Sequence, residues 1–327
     1  MRVVSLFSGA GGLDLGLIQA GMEIVWANDI FEDAVKTYRH NIGDHIDTRD
    51  ICNIDSSEIP DCDVVVGGFP CQGFSIANWG RNLDDPRNQL YKQLVRVVEA
   101  KRPRYFIGEN VKGLASFAKG AVLQQIVGEF EALGYHVHHQ VVNAADYGVP
   151  QSRMRMLIVG ERIDLPKAIT FPPKPTHSDP DRAKSKKLKP WLSVGKALSC
   201  YPEPEAPNQL HNHECSKYKL RFNGHLGHRH INADRPSPTV TARGDEKGGV
   251  VVLHHPNNHR RMTARELAAV QSFPDNFMFV GTKTSAYRQI ANAVPPLLGK
   301  AIGHMLLEAS AAAANETKRT ELSTVAA

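Results

Sequence analysis

Apolar residues in the first half of the chain fall into short blocks that alternate with segments of helical spacing. "RVVSLF" reads as a first buried strand. Leu13, Leu17 and Ile18 then recur at helical spacing until Gly21, which can stop a helix. "EIVWAND" is a second strand that ends in an acid, followed by a helix from about Phe31 to His40. In "CDVVVGG" the three valines form an unbroken apolar run, as a strand covered on both faces should. Leu90, Leu94, Val97 and Val98 mark one helix face, closed by "KRP". "RYFIGEN", "VLQQIVGEFEALG", "YHVHHQVVN" and "RMLIVG" continue the series. Repeated strand–helix units predict an α/β fold with a doubly wound, mostly parallel sheet.

The pattern fails after Glu161. From Phe171 to Pro207 prolines are frequent, and the charged run "RAKSKKLK" reads as a solvated loop. Helical order returns at "TARELAAVQSFP" and is expected to continue through "YRQIANAVPPLLGKAIGHMLL", with the tail extending that helix or fraying.

Composition narrows the class. Of 327 residues 42% are hydrophobic and 22% charged, the balance of a protein with a sizeable core. No apolar run approaches the roughly 20 residues of a membrane span, and "MRVVSLFSGAGG" lacks the apolar core of a signal peptide. The five cysteines are odd in number and scattered, so free thiols in a reducing, cytoplasmic setting are expected. The net charge of +5 is uneven. Glu161 to Arg261 carries 18 Lys+Arg against 10 Asp+Glu, a net of +8, which leaves −3 for the remainder. A basic segment within an acidic chain suggests a part that faces nucleic acid.

Candidate chemistry lies at the predicted strand ends. In "FSGAGGLDLG", Gly9, Gly11 and Gly12 allow close approach of a ligand to a helix start. Asp14 stands where G-x-G-x-x-G needs its last glycine, which argues against a pyrophosphate-bearing dinucleotide. Asp29 ends the second strand, where an acid can bind ribose hydroxyls, and Asp50 is a further polar contact. A nucleoside without pyrophosphate fits, and S-adenosylmethionine is one; a tight turn with capping acids accounts for the same residues. Cys71 follows Pro70 just past a strand. A lone cysteine is ordinarily a small buried hydrophobe. Here Glu109 ends a neighbouring strand, and a thiol and a carboxyl on one rim suggest nucleophile and general acid. In "PQSRMRMLIVG" an extended backbone points Gln151, Arg153 and Arg155 to one face. Two guanidiniums there are costly unless they meet carbonyl or anionic groups. His211, His213, Cys215, His225, His228 and His230 show no standard ligand pairing, and no metal is expected.

Taken in order, "FSGAGG", "WAND", "GGFPCQGFS", "GENVKG", "QSRMR", "RELAAVQSFP" and "YRQIANAVPP" resemble the bacterial-type DNA (cytosine-5) methyltransferases. The motifs cover nearly the whole chain outside the basic stretch. The resemblance implies an S-adenosylmethionine-dependent methyltransferase fold with a second, smaller DNA-recognition domain. Residues 1–171 and 261–310 would form a discontinuous catalytic domain, 172–260 the target-recognition domain and 311–327 a tail. It implies that Cys71 adds to C6 of a cytosine, that Glu109 contacts N3 and the exocyclic amine, and that Arg155 contacts the O2 side with Arg153 in support. Phe7, Gly9, Ala10, Gly12, Asp29, Ile30, Asp50, Ile51, Pro70, Leu90, Asn292 and Ala293 would form the cofactor pocket. Ser272 and Ala291 stand where the family usually has glycine. The base must leave the duplex to be reached, so 72–88 is expected to be a lid, with Gln72 and Ser75 toward DNA. Arg221, Arg229, Arg235, Thr239 and Arg243 are the candidate DNA contacts. The implied partner is double-stranded DNA. A monomer is expected, acting as the modification half of a restriction-modification system with a cognate endonuclease. A tRNA methyltransferase of this fold and a non-catalytic DNA-binding protein on the scaffold are the alternatives.

Overall fold

The protein is described by a computed structural model that covers residues 1–70, 90–215, 231–241, 253–257 and 260–325. Strands β1 (Arg2–Leu6), β2 (Glu23–Asn28), β3 (Ile46–Asp47), β4 (Val64–Gly67), β5 (Tyr105–Val111), β6 (Tyr135–Asn143) and β7 (Met154–Arg162) form one sheet of order β3-β2-β1-β4-β5-β7-β6. Helices α1 (Gly12–Ala20), α2 (Glu32–Asn41), α3 (Tyr91–Lys101) and α4 (Ala121–Ala132) alternate with the strands. β1 pairs in parallel with β2 and β4, and β4 with β5.

Side chains alternate across this sheet, and both faces are covered. Val3, Val64 and Val66 pack with α1, α2 and the C-terminal helix, while Val4 and Val65 pack with α3 and α4. This is why "VVV" reads as an unbroken apolar run. One strand departs from the parallel expectation. β7 runs antiparallel to both β5 and β6. The reason is length: only ten residues separate β6 from β7, too few for a crossover helix, and parallel strands need a connection of about a dozen or more.

The stretch after Glu161 is more ordered than its pattern suggests. It holds β8 (His177–Ser178), α5 (Pro180–Lys186), β9 (Lys189–Pro190) and α6 (Val194–Leu198). These elements are too short to show periodicity, and α5 is set by local chemistry: Asp179 caps it and Pro180 opens it. The C-terminal helical run is not continuous. α7 (Ala264–Val270) and α8 (Lys283–Asn292) are followed by a break at 293–295, where consecutive prolines remove backbone donors, and α9 (Pro296–Val325) then includes the tail. A third core cluster joins Val194, Leu198, Ile231, Val240 and Leu253 to Leu267, Phe273 and Ile290, so the basic stretch and the C-terminal helices share apolar contacts.

α1 and α9 lie in close contact. A methyl group at Gly16 would sit 2.2 Å from the Pro296 carbonyl oxygen, and one at Gly299 would sit 2.7 Å from that of Leu13. Among the described residues no helix is long and apolar enough to cross a membrane.

Candidate functional site

The parallel strands β1, β2, β4 and β5 end on one rim, and the candidate side chains Glu109 and Asp29 lie there. Glu109 lies near the end of β5 and is 8% exposed. Arg155 sits opposite Val111 across the antiparallel β5–β7 pair, which makes it a diagonal neighbour of Glu109 on the same face. Its Nε donates to Glu109 Oε1 at 2.9 Å, with both side chains largely buried. Next door, Asn110 Nδ2 donates to the Phe69 carbonyl at 3.2 Å. A methyl group at Gly68 would lie 3.5 Å from Glu109 Oε2. The chain from β4 to Pro70 is thus held beside the Glu109–Arg155 pair. Cys71, Gln72, Ser75 and the rest of the expected lid lie outside the described residues.

Arg153 does not face that pair in the same way. It is buried, and its guanidinium donates to the carbonyl oxygens of Val240, Ala291 and Ala293. Burial, with Arg155 nearby, pushes its pKa well down, and the three carbonyls supply part of what the cation lost on leaving water, its Nε being buried without a hydrogen-bond partner. Gln151 works similarly. Its Nε2 donates to Gln271 Oε1 at 2.8 Å, and its Oε1 accepts the Val240 N–H at 2.9 Å. The single-face arrangement of "QSRMR" therefore has its cations on carbonyl and anionic groups, but only Arg155 reaches the carboxylate.

The same stretch docks the segment 231–241. Ser237 N–H donates to Pro150 O, Ser152 N–H to Ser237 O, and Thr239 Oγ1 to Ser152 O at 2.8 Å. Thr239, a candidate DNA contact, thus spends its hydroxyl proton on the catalytic sheet. Arg235 lies 3.7 Å from Asp179 and 3.9 Å from Asp181. Arg221, Arg229 and Arg243 lie outside the described residues.

The other half of the rim carries the residues expected to hold the cofactor. After β1 the backbone turns sharply: Phe7 and Gly9 both have φ of 56°. A methyl group at Gly9 would meet nothing within 4 Å, so this glycine faces open space. Gly12 instead lets chains meet, because a methyl group there would lie 2.3 Å from Val294 O. That contact brings α1 to the Asn292–Ala293 segment. Asp29 accepts N–H groups from Gly9 and Phe31, each at 2.8 Å. Burial raises its pKa, against those two donors and the charge of Arg288.

Ile30 beside it is 67% exposed, an apolar side chain with no core to enter. Asn28 Nδ2 donates to Asp47 O and Arg49 O, which holds the 47–50 segment against β2. Asp50 caps the Cys52 N–H, Ile51 and Ala10 are buried, and Leu90 precedes α3. Arg288, 4.4 Å from the Phe31 ring centroid, was not foreseen; its signal, a lone arginine in a helical motif, is weak.

Asp14, which breaks the dinucleotide pattern, is fully buried. It accepts hydrogen bonds from Ser5 Oγ and Tyr38 OH, and burial raises its pKa to about 6. Ser272 has φ of 65°, a left-handed position that explains the family's glycine there. Its Oγ accepts the Leu297 N–H, an interaction glycine would lack.

Known proteins give this geometry its context. The profile of C-5 cytosine-specific DNA methylases matches residues 1–308. The chain is 42% identical over 318 residues to the Type II methyltransferase M.NgoFVII of Neisseria gonorrhoeae, covering 90% of this chain and 83% of that one. It is 37% identical over 343 residues to the Type II methyltransferase M1.HphI of Haemophilus parahaemolyticus, covering 94% and 87%. In fold it resembles a candidate DNA modification methyltransferase encoded in an E. coli prophage, with a TM-score of 0.72 at 23% identity over 94% and 98% of the two chains. The chain belongs to the C-5 cytosine-specific DNA methylases, S-adenosylmethionine-dependent enzymes that methylate cytosine at C5 in DNA.

Proposed function

We propose that this enzyme methylates one cytosine within a short, specific duplex sequence, as the modification enzyme of a restriction-modification system. The substrate base is flipped out of the duplex and attacked by Cys71. The observation that carries this reading is the buried Glu109–Arg155 pair beside the segment that leads into Pro70 and Cys71. Two charged groups so placed can bind the polar edge of a pyrimidine, while a neutral core contact would not need them.

The residues present fit S-adenosylmethionine. Gly9 leaves room, the Asp29 carboxylate has lone pairs left for ribose hydroxyls, and exposed Ile30 offers an apolar face to adenine. When bound, the cofactor supplies the electrophilic methyl group. The chain's residues do the rest. The Cys71 thiolate adds to C6, and Glu109, hydrogen-bonded toward N3 and the exocyclic amine, stabilises the ring whose C5 becomes nucleophilic. Arg155 fixes Glu109 and faces the O2 side. After methylation, loss of the C5 proton and expulsion of the thiolate restore the aromatic ring. Residues 1–171 and 261–310 form the catalytic part in this reading, and 172–260 the recognition part.

A duplex carrying 5-fluorocytosine at the target tests the covalent step. Fluorine cannot leave as the proton does, so the wild type should form a denaturant-resistant adduct in the presence of cofactor. Cys71→Ser should form none and should still bind S-adenosylmethionine. Adduct formation by the serine variant would falsify the nucleophile assignment.

A further inference from the structure

The "RAKSKKLK" run forms a compact knuckle. β8 and β9 pair in parallel around α5, with Ser178 and Ala183 turned inward. Arg182, Lys184, Lys186, Lys187 and Lys189 are all exposed on it. Its two carboxylates, Asp179 and Asp181, face Arg235 of the 231–241 segment. Among the described residues no carboxylate forms an ion pair with the five cations, although Lys186 lies within electrostatic reach of Asp146.

Such a surface is ordinarily a solvated face; its place in the fold sets this one apart. β6 is antiparallel to β7, as β5 is, so β5 and β6 end on the same rim, level with Arg155 at the start of β7. The short helix Ala144–Tyr147 follows β6 directly at that rim. The knuckle is fastened to it. Thr176 N–H donates to Asp146 O, Trp191 Nε1 donates to Asp146 Oδ1 at 2.8 Å, and Tyr147 OH donates to Pro173 O. On its other side Arg235 ties it to the segment that docks on Pro150–Arg153. Five unneutralised cations thus stand beside the Glu109–Arg155 site and next to the recognition stretch.

We propose that this knuckle is a sequence-independent contact surface for the phosphate backbone of duplex DNA, flanking the bases that the rest of the recognition stretch reads. The inference rests on the methyltransferase reading above. A duplex that delivers a cytosine to Glu109 must cross this rim, and lysines on a rigid turn can neutralise its phosphates without reading sequence.

The test replaces all five cations with glutamine, leaving the anchors intact. Binding of a fluorescein-labelled random-sequence duplex is followed by anisotropy from 50 to 200 mM salt. A single-stranded RNA of equal length and S-adenosylmethionine serve as parallel probes. The variant should show a shallower dependence of log affinity on log salt, by about 0.9 for each phosphate contact removed. Duplex affinity at low salt should fall roughly 10-fold or more. Cofactor affinity should be unchanged, showing that the fold survives. An unchanged salt slope overturns the proposal. So does a loss confined to RNA. If the wild type itself binds no duplex DNA, the methyltransferase reading fails instead.

Discussion

The rim at Glu109 and the knuckle at 177–190 hold charge in opposite ways. At the rim, Glu109 and Arg153 are buried and Arg155 is largely so, and each has partners in the protein. On the knuckle, cations stand in water, and the one arginine bridge, from Arg235, reaches carboxylates only at 3.7–3.9 Å. Buried charges are strong and fixed, because little water competes and any lost partner leaves a large desolvation cost. Exposed charges are screened and contribute little to folding, but they remain available to an outside anion. Fixed chemistry on one side and adjustable affinity on the other is what a DNA-modifying enzyme needs.

The contrast can be broken at four points. The largest effect is expected from Glu109→Gln, which keeps the shape and loses the charge that pairs with Arg155. Single-turnover methyl transfer should slow by roughly 10²–10⁴, the range for a lost general acid, with cofactor affinity retained. An unchanged rate removes Glu109 from the chemistry. Arg153→Met comes next. Three carbonyl groups lose their donor, so unfolding in urea should show a loss of about 3 kcal/mol or more, at 1–3 kcal/mol per unsatisfied group. If stability is unaffected and only turnover falls, Arg153 touches the substrate after all.

Asp14→Asn tests the buried charge in isolation. The carboxyl has a folded pKa of about 6 against an ordinary 3.8, with Ser5 and Tyr38 as its hydrogen-bond partners and His45 on the far side of Tyr38. The folded state holds that proton more tightly than the unfolded one. The stability it contributes is therefore present below about pH 4 and lost as pH rises through about 6, by roughly 3 kcal/mol in all. The asparagine variant should lack this decline. Parallel stability–pH curves for variant and wild type would show that Asp14 ionises as freely in the fold as out of it. The smallest effect belongs to Arg235→Ala, below about 1 kcal/mol in stability for an exposed pair. Its site preference should be unaltered; relaxation at one base position would make Arg235 a reader of sequence instead of a bridge.

Much of the rim was legible in the sequence because strand ends announce themselves. Apolar blocks located β1, β2, β4 and β5, and Asp29, Pro70 and Glu109 lie near the ends of β2, β4 and β5. The direction of β7 was not read from the sequence, although the short connection after β6 carries it. What periodicity missed is the knuckle, whose elements span two to seven residues and are held by Asp146 and Arg235 from distant parts of the chain. The roles of Gln151 and Arg153 were hidden for the same reason, since their partners lie 87 to 140 residues away. The sequence placed Gly12 at a ligand. The fold also sets it where α1 meets the chain that returns at Val294, a contact no local pattern showed.

The glycine contact between α1 and α9 has a consequence for synthesis. Residues 13–16 finish against 296–300, nearly the full length of the chain away. As the polypeptide emerges, β1, α1 and the turn at Phe7–Gly9 appear well before α9 and have no back wall until it leaves the ribosome. Translation runs at about 5–20 residues per second, so the nascent chain waits on the order of 15–60 seconds with that surface uncovered. A product cut short before Pro296 would keep Cys71, Glu109 and Arg155 in its sequence and still lack the helix that packs against α1. Only a chain translated as far as α9 can cover that face of α1.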